Sequence, residues 1–276
     1  MGGPADSVER AAVAIRNADA LLIGAGAGMG VDSGLPDFRG NEGFWKAYPP
    51  LRKLGLSFER IANPYWFRHD PEQAWGFYGH RRNLYRATQP HAGFDVLRQW
   101  CERVPAGYFV FTSNVDGHFQ KSGFDGERIV ECHGSLEHLQ CQRICTHEIW
   151  PATSGSIDVN EATFRTRLPL PSCPRCGDLA RPNVLMFGDS DWLEGRTEVQ
   201  HARYTAWRKQ IGSARLVVIE IGAGTAVPTV RIECEQSGGR HIRINPHDAT
   251  TCGEQISIPS NGLDALRHIN LRLQNQ

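Results

Sequence analysis

Four of the eight cysteines in this 276-residue chain form two closely spaced pairs. The pairs are Cys141 with Cys145, with three residues between them, and Cys173 with Cys176, with two residues between them. Four thiolates suit tetrahedral zinc, and a site without an open coordination position is structural. The spacing therefore predicts a structural zinc site, with His138 or His147 as the replacement ligand if Cys145 is badly placed. The alternative, a redox pair, lacks a surrounding thioredoxin-like βαβ pattern.

His133 is the residue whose chemistry best suits proton transfer. It follows the apolar run 129–132 and precedes Gly134, so the predicted strand ends at a histidine that can project into a cleft. A general base needs a pKa near the working pH, and an unperturbed histidine has a pKa of about 6.5. Taken alone, a single histidine is more often structural than catalytic.

Five short apolar runs end directly in glycine, polar or histidine residues, which indicates that they must position the chemistry. The runs are residues 20–23, 108–112, 129–132, 216–219 and 241–244. Such runs are typical of parallel strands covered on both faces, and helical patterns such as residues 92–104 separate some of them. Ligands of open α/β sheets bind beyond the carboxyl ends of the strands. One ligand is therefore expected to contact all five segments.

The first of these runs leads into a glycine-rich loop from Gly24 to Gly30. Glycines let the backbone approach a phosphate closely. The dehydrogenase fingerprint GxGxxG nevertheless fails in every register, because its third glycine position holds Met29, Val31 or Ser33. The loop predicts phosphate binding without the signature of hydride transfer, and a tight turn with no ligand is the alternative.

Residues 26–39, GAGMGVDSGLPDFR, resemble the sirtuin (Sir2) signature GAG-I-S-A-E-S-G-I-P-D-F-R. The resemblance recurs in the family's order at residues 113–117 (SNVDG for QNIDG), at His133-Gly134, at residues 181–189, at residues 222–224 and at Asn245. It implies an enzyme in which the acyl oxygen of an acyl-lysine displaces nicotinamide from NAD⁺. A base then activates a ribose hydroxyl, and the acyl group ends on ADP-ribose.

The resemblance also implies roles for individual residues. It assigns catalysis to His133 and Asn114; NAD binding to Gly26, Ala27, Gly28, Gly30, Asp37, Phe38, Arg39, Ser113, Asn114, Asp116, Gly222, Gly224, Thr225 and Asn245; and the peptide strand to Val184, Phe187 and Gly188. Asp116 would contact the nicotinamide carboxamide, and Phe38 would shield the reacting ribose from water.

Two departures from the family pattern bear on the efficiency of deacylation. Ser113 stands where the family has glutamine, and Ala223-Gly224 stand where it has threonine and serine. Backbone N–H groups still serve a phosphate there, and Thr225 supplies a hydroxyl one position later. NAD⁺ binding itself is expected to remain.

A cation interrupts the apolar face of one predicted helix. Asp70-Pro71 is typical of a helix start, and Ala74, Tyr78, Arg81 and Tyr85 then share a face at helical spacing. A guanidinium on such a face needs an anionic partner or a route to solvent. Tyr78 and Arg81 resemble the Y-x-x-R element of sirtuins that remove succinyl, malonyl and glutaryl groups. An internal Asp or Glu partner is the equally weighted alternative.

The fold predicted from these patterns is α/β. A Rossmann-type parallel sheet (residues 1–40, 88–136 and 183–276) carries an inserted smaller module with a helical part (41–87) and a zinc-binding part (137–182).

Composition bounds the partners and the compartment. Lys+Arg and Asp+Glu both number 30, which argues against a general nucleic-acid or anionic-membrane surface. No run approaches the length of a membrane span. The N-terminal residues resemble neither a signal peptide nor a myristoylation site. With cysteines that suit a reducing compartment, we expect a cytoplasmic protein.

Two other functions remain open at this point. A sirtuin-like ADP-ribosyltransferase or NAD glycohydrolase would keep the cofactor site and change the acceptor, which the altered Ser113 and Ala223-Gly224 allow. A non-catalytic NAD or ADP-ribose binding module is the second, and an intact His133 argues against it.

Overall fold

A six-stranded parallel sheet is the frame of the structure, a computed structural model that describes residues 4–36, 40–251, 253 and 255–275. The strands, in chain order, are β1 (Ala20–Ala25), β2 (Tyr108–Thr112), β3 (Ile129–Glu131), β4 (Gly134–Cys141), β5 (Trp150–Pro151), β6 (Val159–Asn160), β7 (Arg165–Thr166), β8 (Ala180–Val184), β9 (Leu216–Ile221), β10 (Arg240–Ile244) and β11 (Ile256–Ile258). The parallel sheet has the order β11-β10-β9-β1-β2-β3. The five predicted strands are confirmed, and β11 is a sixth that the sequence pattern did not indicate.

Helices cover both faces of this sheet and build the smaller module. They are α1 (Pro4–Arg16), α2 (Gly28–Val31), α3 (Gly40–Ala47), α4 (Pro49–Lys53), α5 (Phe58–Ile61), α6 (Tyr65–His69), α7 (Pro71–Ala87), α8 (Gly93–Cys101), α9 (His118–Lys121), α10 (Gly195–Ile211), α11 (Thr229–Gln236) and α12 (Gly262–Gln274), with a 3₁₀ turn at Gly126–Arg128. Among the helices of the described ranges, none has the length and apolarity to cross a bilayer.

The carboxyl ends of the parallel strands lie side by side. Ala25 is opposite both Thr112 and Ile221, Thr112 is opposite Glu131, and Ile221 is opposite Ile244. The residues that follow these positions therefore share one edge of the sheet, as the sequence predicted.

Successive strand residues bury their side chains on opposite faces of the sheet. Leu21 and Ile23 join a core with Trp100, whereas Leu22 joins a second core with Trp207. The sheet is thus apolar on both faces, which explains why its strands appear as nearly continuous apolar runs.

The smaller module has a core of its own, formed by α3 to α7 and the antiparallel sheet β5-β4-β8. The side chain of Asp70 accepts from the backbone N–H of Gln73 and caps α7, and Pro71 occupies its first turn, as predicted. The stripe on α7 is buried, Arg81 included.

The predicted fold class is confirmed: a Rossmann-type parallel sheet carries a smaller helical and cysteine-bearing module. The predicted boundaries at 136/137 and 182/183 fall inside β4 and β8, because these paired strands run from the edge of the large sheet into the cysteine-bearing part.

Candidate functional site

Two glycine-rich loops meet at the carboxyl edge of the sheet. The N–H of Gly26 donates to Ile221 O and that of Gly28 donates to Gly222 O, both at 3.0 Å. Gly222 has a φ of +61°, and a Cβ there would lie 2.5 Å from Gly28. The loops after β1 and β9 therefore pack backbone against backbone, and side chains are excluded from their contact.

Other N–H groups of these loops are left for a ligand. Ala27 and Gly224 are exposed, and within the described residues their N–H groups donate to no acceptor. Backbone N–H groups at the start of a helix suit a phosphate. The loops thus fit the pyrophosphate of a dinucleotide. A Cβ at Gly30 would lie 2.9 Å from Leu35, so this glycine allows close packing of the loop, and its predicted role in NAD binding stays a prediction.

The loop after β9 is held from behind by side chains. The carbonyl of Ala223 accepts from Arg231 at 3.2 Å and from the amide of Asn245 at 3.0 Å. The carbonyl oxygen of the Asn245 side chain accepts from the N–H groups of His247 and Asp248. Asn245 is fully buried and ties two strand-end loops together.

Residues after β2 extend the same edge toward the smaller module. Asn114 donates its side-chain N–H to Gly26 O at 3.0 Å, so the motifs around residues 26 and 114 are in direct contact. Asp116 accepts from the N–H of His118 at 2.9 Å. Burial raises the pKa of Asp116, against the opposing effects of the His118 imidazole and, more weakly, of the Arg81 guanidinium.

His133 lies where this edge meets the second sheet. Burial lowers its pKa, although a hydrogen bond to the backbone of Ser113 acts in the opposite direction. A neutral imidazole keeps a lone pair on one ring nitrogen, so a lowered pKa favours the form that can accept a proton. Thr229, the first residue of α11, has its Oγ1 3.4 Å from His133 Nε2. The ring is therefore held between two elements in the form of a base.

The segment after β8 runs beside this histidine. Leu185 donates its N–H to His133 O at 3.0 Å, and Val184 pairs with Gly134 in the second sheet. The N–H of Phe187 donates to Ala62 O at 2.9 Å. The side chain of Asn63 donates to Phe187 O, also at 2.9 Å. Both backbone groups of Phe187 are thus engaged, so an added peptide strand would pair with its neighbours.

A buried ion pair fixes the shape of that segment. Arg181 donates two N–H groups to the carboxylate of Asp189, at 2.9 and 3.0 Å, and neither side chain is exposed by more than 1%. Asp189 also accepts from the N–H of Met186. Both ends of the segment therefore belong to one rigid unit, which presents Phe187 and Gly188 at the surface.

Arg81 lies among aromatic rings on the module side of the cleft. Its guanidinium carbon is 5.3 to 5.9 Å from the ring centres of Phe58, Phe77, Tyr78 and Tyr85. Phe58 also contacts the ring of Phe187, with centroids 6.0 Å apart. One aromatic ring thus links the guanidinium to the segment beside His133.

The four predicted zinc ligands converge. The sulfurs of Cys141 and Cys176 are 3.7 Å apart, those of Cys145 and Cys173 are 3.6 Å apart, and all four lie within 4.8 Å of one another. Sulfurs about 2.3 Å from a tetrahedral zinc lie about 3.8 Å apart, so the cluster fits the metal.

Local backbone geometry explains how the wider cysteine pair still fits. Ile144 has a φ of +51°, an unusual value for a β-branched residue, and turns the chain so that Cys145 faces the other sulfurs. The cluster consists of the four cysteines, and neither His138 nor His147 replaces Cys145.

Comparison with known proteins identifies the family of this chain. The model of the Sir2 family matches residues 26–219. The NAD-dependent protein deacylase 1 of Archaeoglobus fulgidus is 30% identical over 235 residues, which cover 83% of this chain and 82% of that protein. The chain belongs to the Sir2 family.

Further relatives agree with this membership. The NAD-dependent protein deacylase 2 of Pseudomonas aeruginosa is 29% identical over 254 residues, 91% of this chain and 90% of that protein. A solved mutant Sir2 homologue in complex with ADP-ribose is 25% identical, with a TM-score of 0.68, covering 97% of this chain and 98% of the other.

The structure brings most residues of the predicted Sir2 site close together. The loops at 26–28 and 222–225, Asn114, His133 and the segment 184–188 are connected by the contacts above. Asp37, Phe38 and Arg39 lie outside the described residues, so their predicted roles stay predictions. Thr225 is exposed beside Gly224, and it makes no hydrogen bond to the residues that the structure describes.

Sequence reasoning missed two residues of the Sir2 site, Thr229 beside His133 and Arg231 behind Ala223, and one contact, that of Tyr85 with Arg81. Only the last had a sequence signal, because Arg81 and Tyr85 are four residues apart on one helical face.

Proposed function

We propose that this chain is an NAD-dependent protein-lysine deacylase that transfers the acyl group to ADP-ribose and releases nicotinamide. The observation that carries the proposal is the position of His133. It lies at the edge formed by the cofactor loops, and its own carbonyl is bonded to Leu185 of the predicted peptide segment. A base at that junction can reach a ribose hydroxyl and an acyl-lysine in the same cleft.

Bound NAD⁺ supplies the ribose carbon that takes up the acyl oxygen as nicotinamide leaves. The loops at Ala27 and Gly224 would hold its pyrophosphate through backbone N–H groups. Asp116 and Asn114 would lie at the nicotinamide end, and Asn114 is held there by its hydrogen bond to Gly26 O. His133 would accept a proton from a ribose hydroxyl of the bound NAD⁺.

The substrate of the proposed reaction is an acyl-lysine on a protein or peptide. The curated relatives are named protein deacylases, and a solved homologue holds ADP-ribose. The peptide would lie along Val184 to Gly188 as an added strand, the acyl group pointing toward Phe58 and Arg81. A cytoplasmic location is also proposed, supported by cysteines arranged for zinc.

We further propose that acidic acyl groups are preferred. A succinyl or malonyl carboxylate reaching Arg81 would gain a charge-assisted contact, and Tyr78 lies beside the guanidinium. The ring of Tyr78 is buried and stacked on Phe67, with centroids 5.7 Å apart, so its orientation is fixed.

Product analysis tests the proposal. The protein is incubated with NAD⁺ and a panel of acetyl-, succinyl- and malonyl-lysine peptides, and products are identified by mass spectrometry. O-acyl-ADP-ribose supports deacylation. ADP-ribosylated protein or free ADP-ribose without deacylated peptide would replace it with ADP-ribosyl transfer or NAD hydrolysis, which the altered Ser113 and Ala223-Gly224 allow. No nicotinamide release under any condition would indicate a binding module.

A further inference from the structure

The guanidinium of Arg81 has a defined orientation as well as a defined position. Its Nε donates to the hydroxyl of Tyr85 at 3.1 Å, and its Nη2 donates to the same oxygen at 2.9 Å. Both side chains belong to α7 and are at most 6% exposed. The edge of the guanidinium formed by Nε and Nη2 is therefore turned toward α7 itself.

The rings around Arg81 cannot supply this orientation. A cation over an aromatic face is attracted within about 6 Å of the ring centre, and this attraction is not directed at one particular N–H group. Phe58, Phe77 and Tyr78 therefore keep the group in place, whereas the two directional bonds to Tyr85 set which edge faces the cleft. An arriving carboxylate would then meet the edge that contains Nη1.

Tyr85 is also within electrostatic range of Asp116, the predicted carboxamide contact. Burial raises the pKa of Tyr85, and the neighbouring Arg81 opposes this rise. The charge of Asp116 adds to the rise more weakly. Asp116 is in turn influenced by Arg81. The tyrosine, the arginine and the predicted carboxamide contact thus form one electrostatic group.

We propose that Tyr85 is a positioning residue that sets acyl specificity by orienting Arg81 toward the carboxylate of an acidic acyl-lysine. This inference rests on the proposed deacylase function and its acidic acyl preference. It assigns Tyr85 no direct contact with the substrate, so its effect must disappear when the guanidinium is absent.

The test is a double-mutant cycle with wild type, Tyr85→Phe, Arg81→Met and the double variant. Each protein is assayed with two peptides that differ only in carrying succinyl- or acetyl-lysine, and O-acyl-ADP-ribose formation gives kcat and KM. The phenylalanine keeps the ring and removes the hydroxyl. Tyr108→Phe is the matched control. Tyr108 is the first residue of β2, away from the cleft, and its hydroxyl accepts a hydrogen bond from the backbone N–H of Asp125.

We expect Tyr85→Phe to lower kcat/KM for the succinyl peptide about 10-fold relative to the acetyl peptide, mainly through KM. In the Arg81→Met background the same change should have no selective effect. Tyr108→Phe should leave the ratio of the two substrates unchanged. Thermal unfolding of each preparation controls for folding.

Equal losses on both peptides would overturn the inference and make the Tyr85 bond structural. A selective loss that persists without Arg81 would also overturn it, because Tyr85 would then act on the substrate directly. Wild type that uses only the acetyl peptide removes the inference and leaves deacylation standing. Absence of O-acyl-ADP-ribose from both peptides removes the function itself.

Discussion

The sheet side of the cleft is formed mainly by backbone groups, whereas the module side is formed by buried side chains. On the sheet side, Gly26, Gly28 and Gly222 bring two loops into contact and leave neighbouring N–H groups exposed. On the module side, Arg81 is held by rings and by the Tyr85 hydroxyl. The sheet side is therefore suited to a fixed dinucleotide, and the module side to an acyl group that differs between substrates.

The difference has an energetic basis. A binding site formed by backbone groups is blocked by any side chain that fills it, but its contacts with the ligand do not depend on any single side chain. A side-chain site depends on a few groups, and each replacement changes its selectivity. Substitutions on the two sides should therefore have separable effects on cofactor use and on acyl choice.

Loss of zinc should have the largest effect, a loss of stability that arises in the smaller module. Purified protein should contain one zinc per chain, and Cys173→Ser should lower the zinc content and reduce the free energy of unfolding by roughly 5 kcal/mol or more, because structural zinc binding is folding free energy. Metal analysis and thermal unfolding measure this. Cys101→Ala, in the sheet core, should keep its zinc; zinc-free wild type would contradict the prediction.

Removal of the base should be next in size and should act on every acyl substrate. His133→Ala is expected to cut turnover by ~10²–10⁴-fold, the range for loss of a general base, while NAD⁺ binding persists. Steady-state kinetics and NAD⁺ titration by calorimetry measure both. The exposed His268→Ala serves as control. Full activity in His133→Ala would remove this residue from the mechanism.

Removal of the cation on the module side should be smaller and selective. Arg81→Met is expected to cost succinyl-peptide turnover about 10- to 100-fold, corresponding to ~1.5–3 kcal/mol for a hydrogen bond to a charged group. Acetyl-peptide turnover should change little. Comparing kcat/KM for the two peptides checks this, and an equal loss on both would show that Arg81 has a structural role.

The pH profile should show the smallest effect. His133 must be neutral to act as a base, and burial lowers its pKa. Activity should therefore be kept as pH falls to about 6.5, the ordinary histidine value, and should decline only below it. The profile of kcat/KM for an acetyl peptide between about pH 5 and 8 measures the midpoint. A midpoint at or above the ordinary value would mean that burial does not control this group.

The sheet side was largely predictable because its signals are local. A strand that ends in a glycine run or a histidine marks the edge of the sheet, and the observed register places those ends together. β11 escaped prediction because its three residues, Ile-Ser-Ile, form no continuous apolar run. Zinc binding followed from cysteine spacing, although the turn at Ile144 that rescues the wider pair did not.

The module side was less predictable because its contacts join distant parts of the chain. Arg81 was recognised as a cation on an apolar face shared with Tyr85, but its contact with Phe58 is known only from packing. Thr229 contacts His133 from the start of α11, which is distant in sequence, and no sequence periodicity indicates such a contact. Local patterns identify backbone sites; tertiary contacts decide which side chains complete them.

The buried pair of Arg181 and Asp189 has a thermodynamic consequence for substrate binding. It closes the chain around residues 182–188 before any peptide arrives, so little conformational entropy of the protein remains to be lost there. The ordering cost of the complex then lies almost entirely with the peptide. Flexible tails should bind weakly through many similar backbone contacts, and peptides already extended in solution should bind more tightly with the same residues.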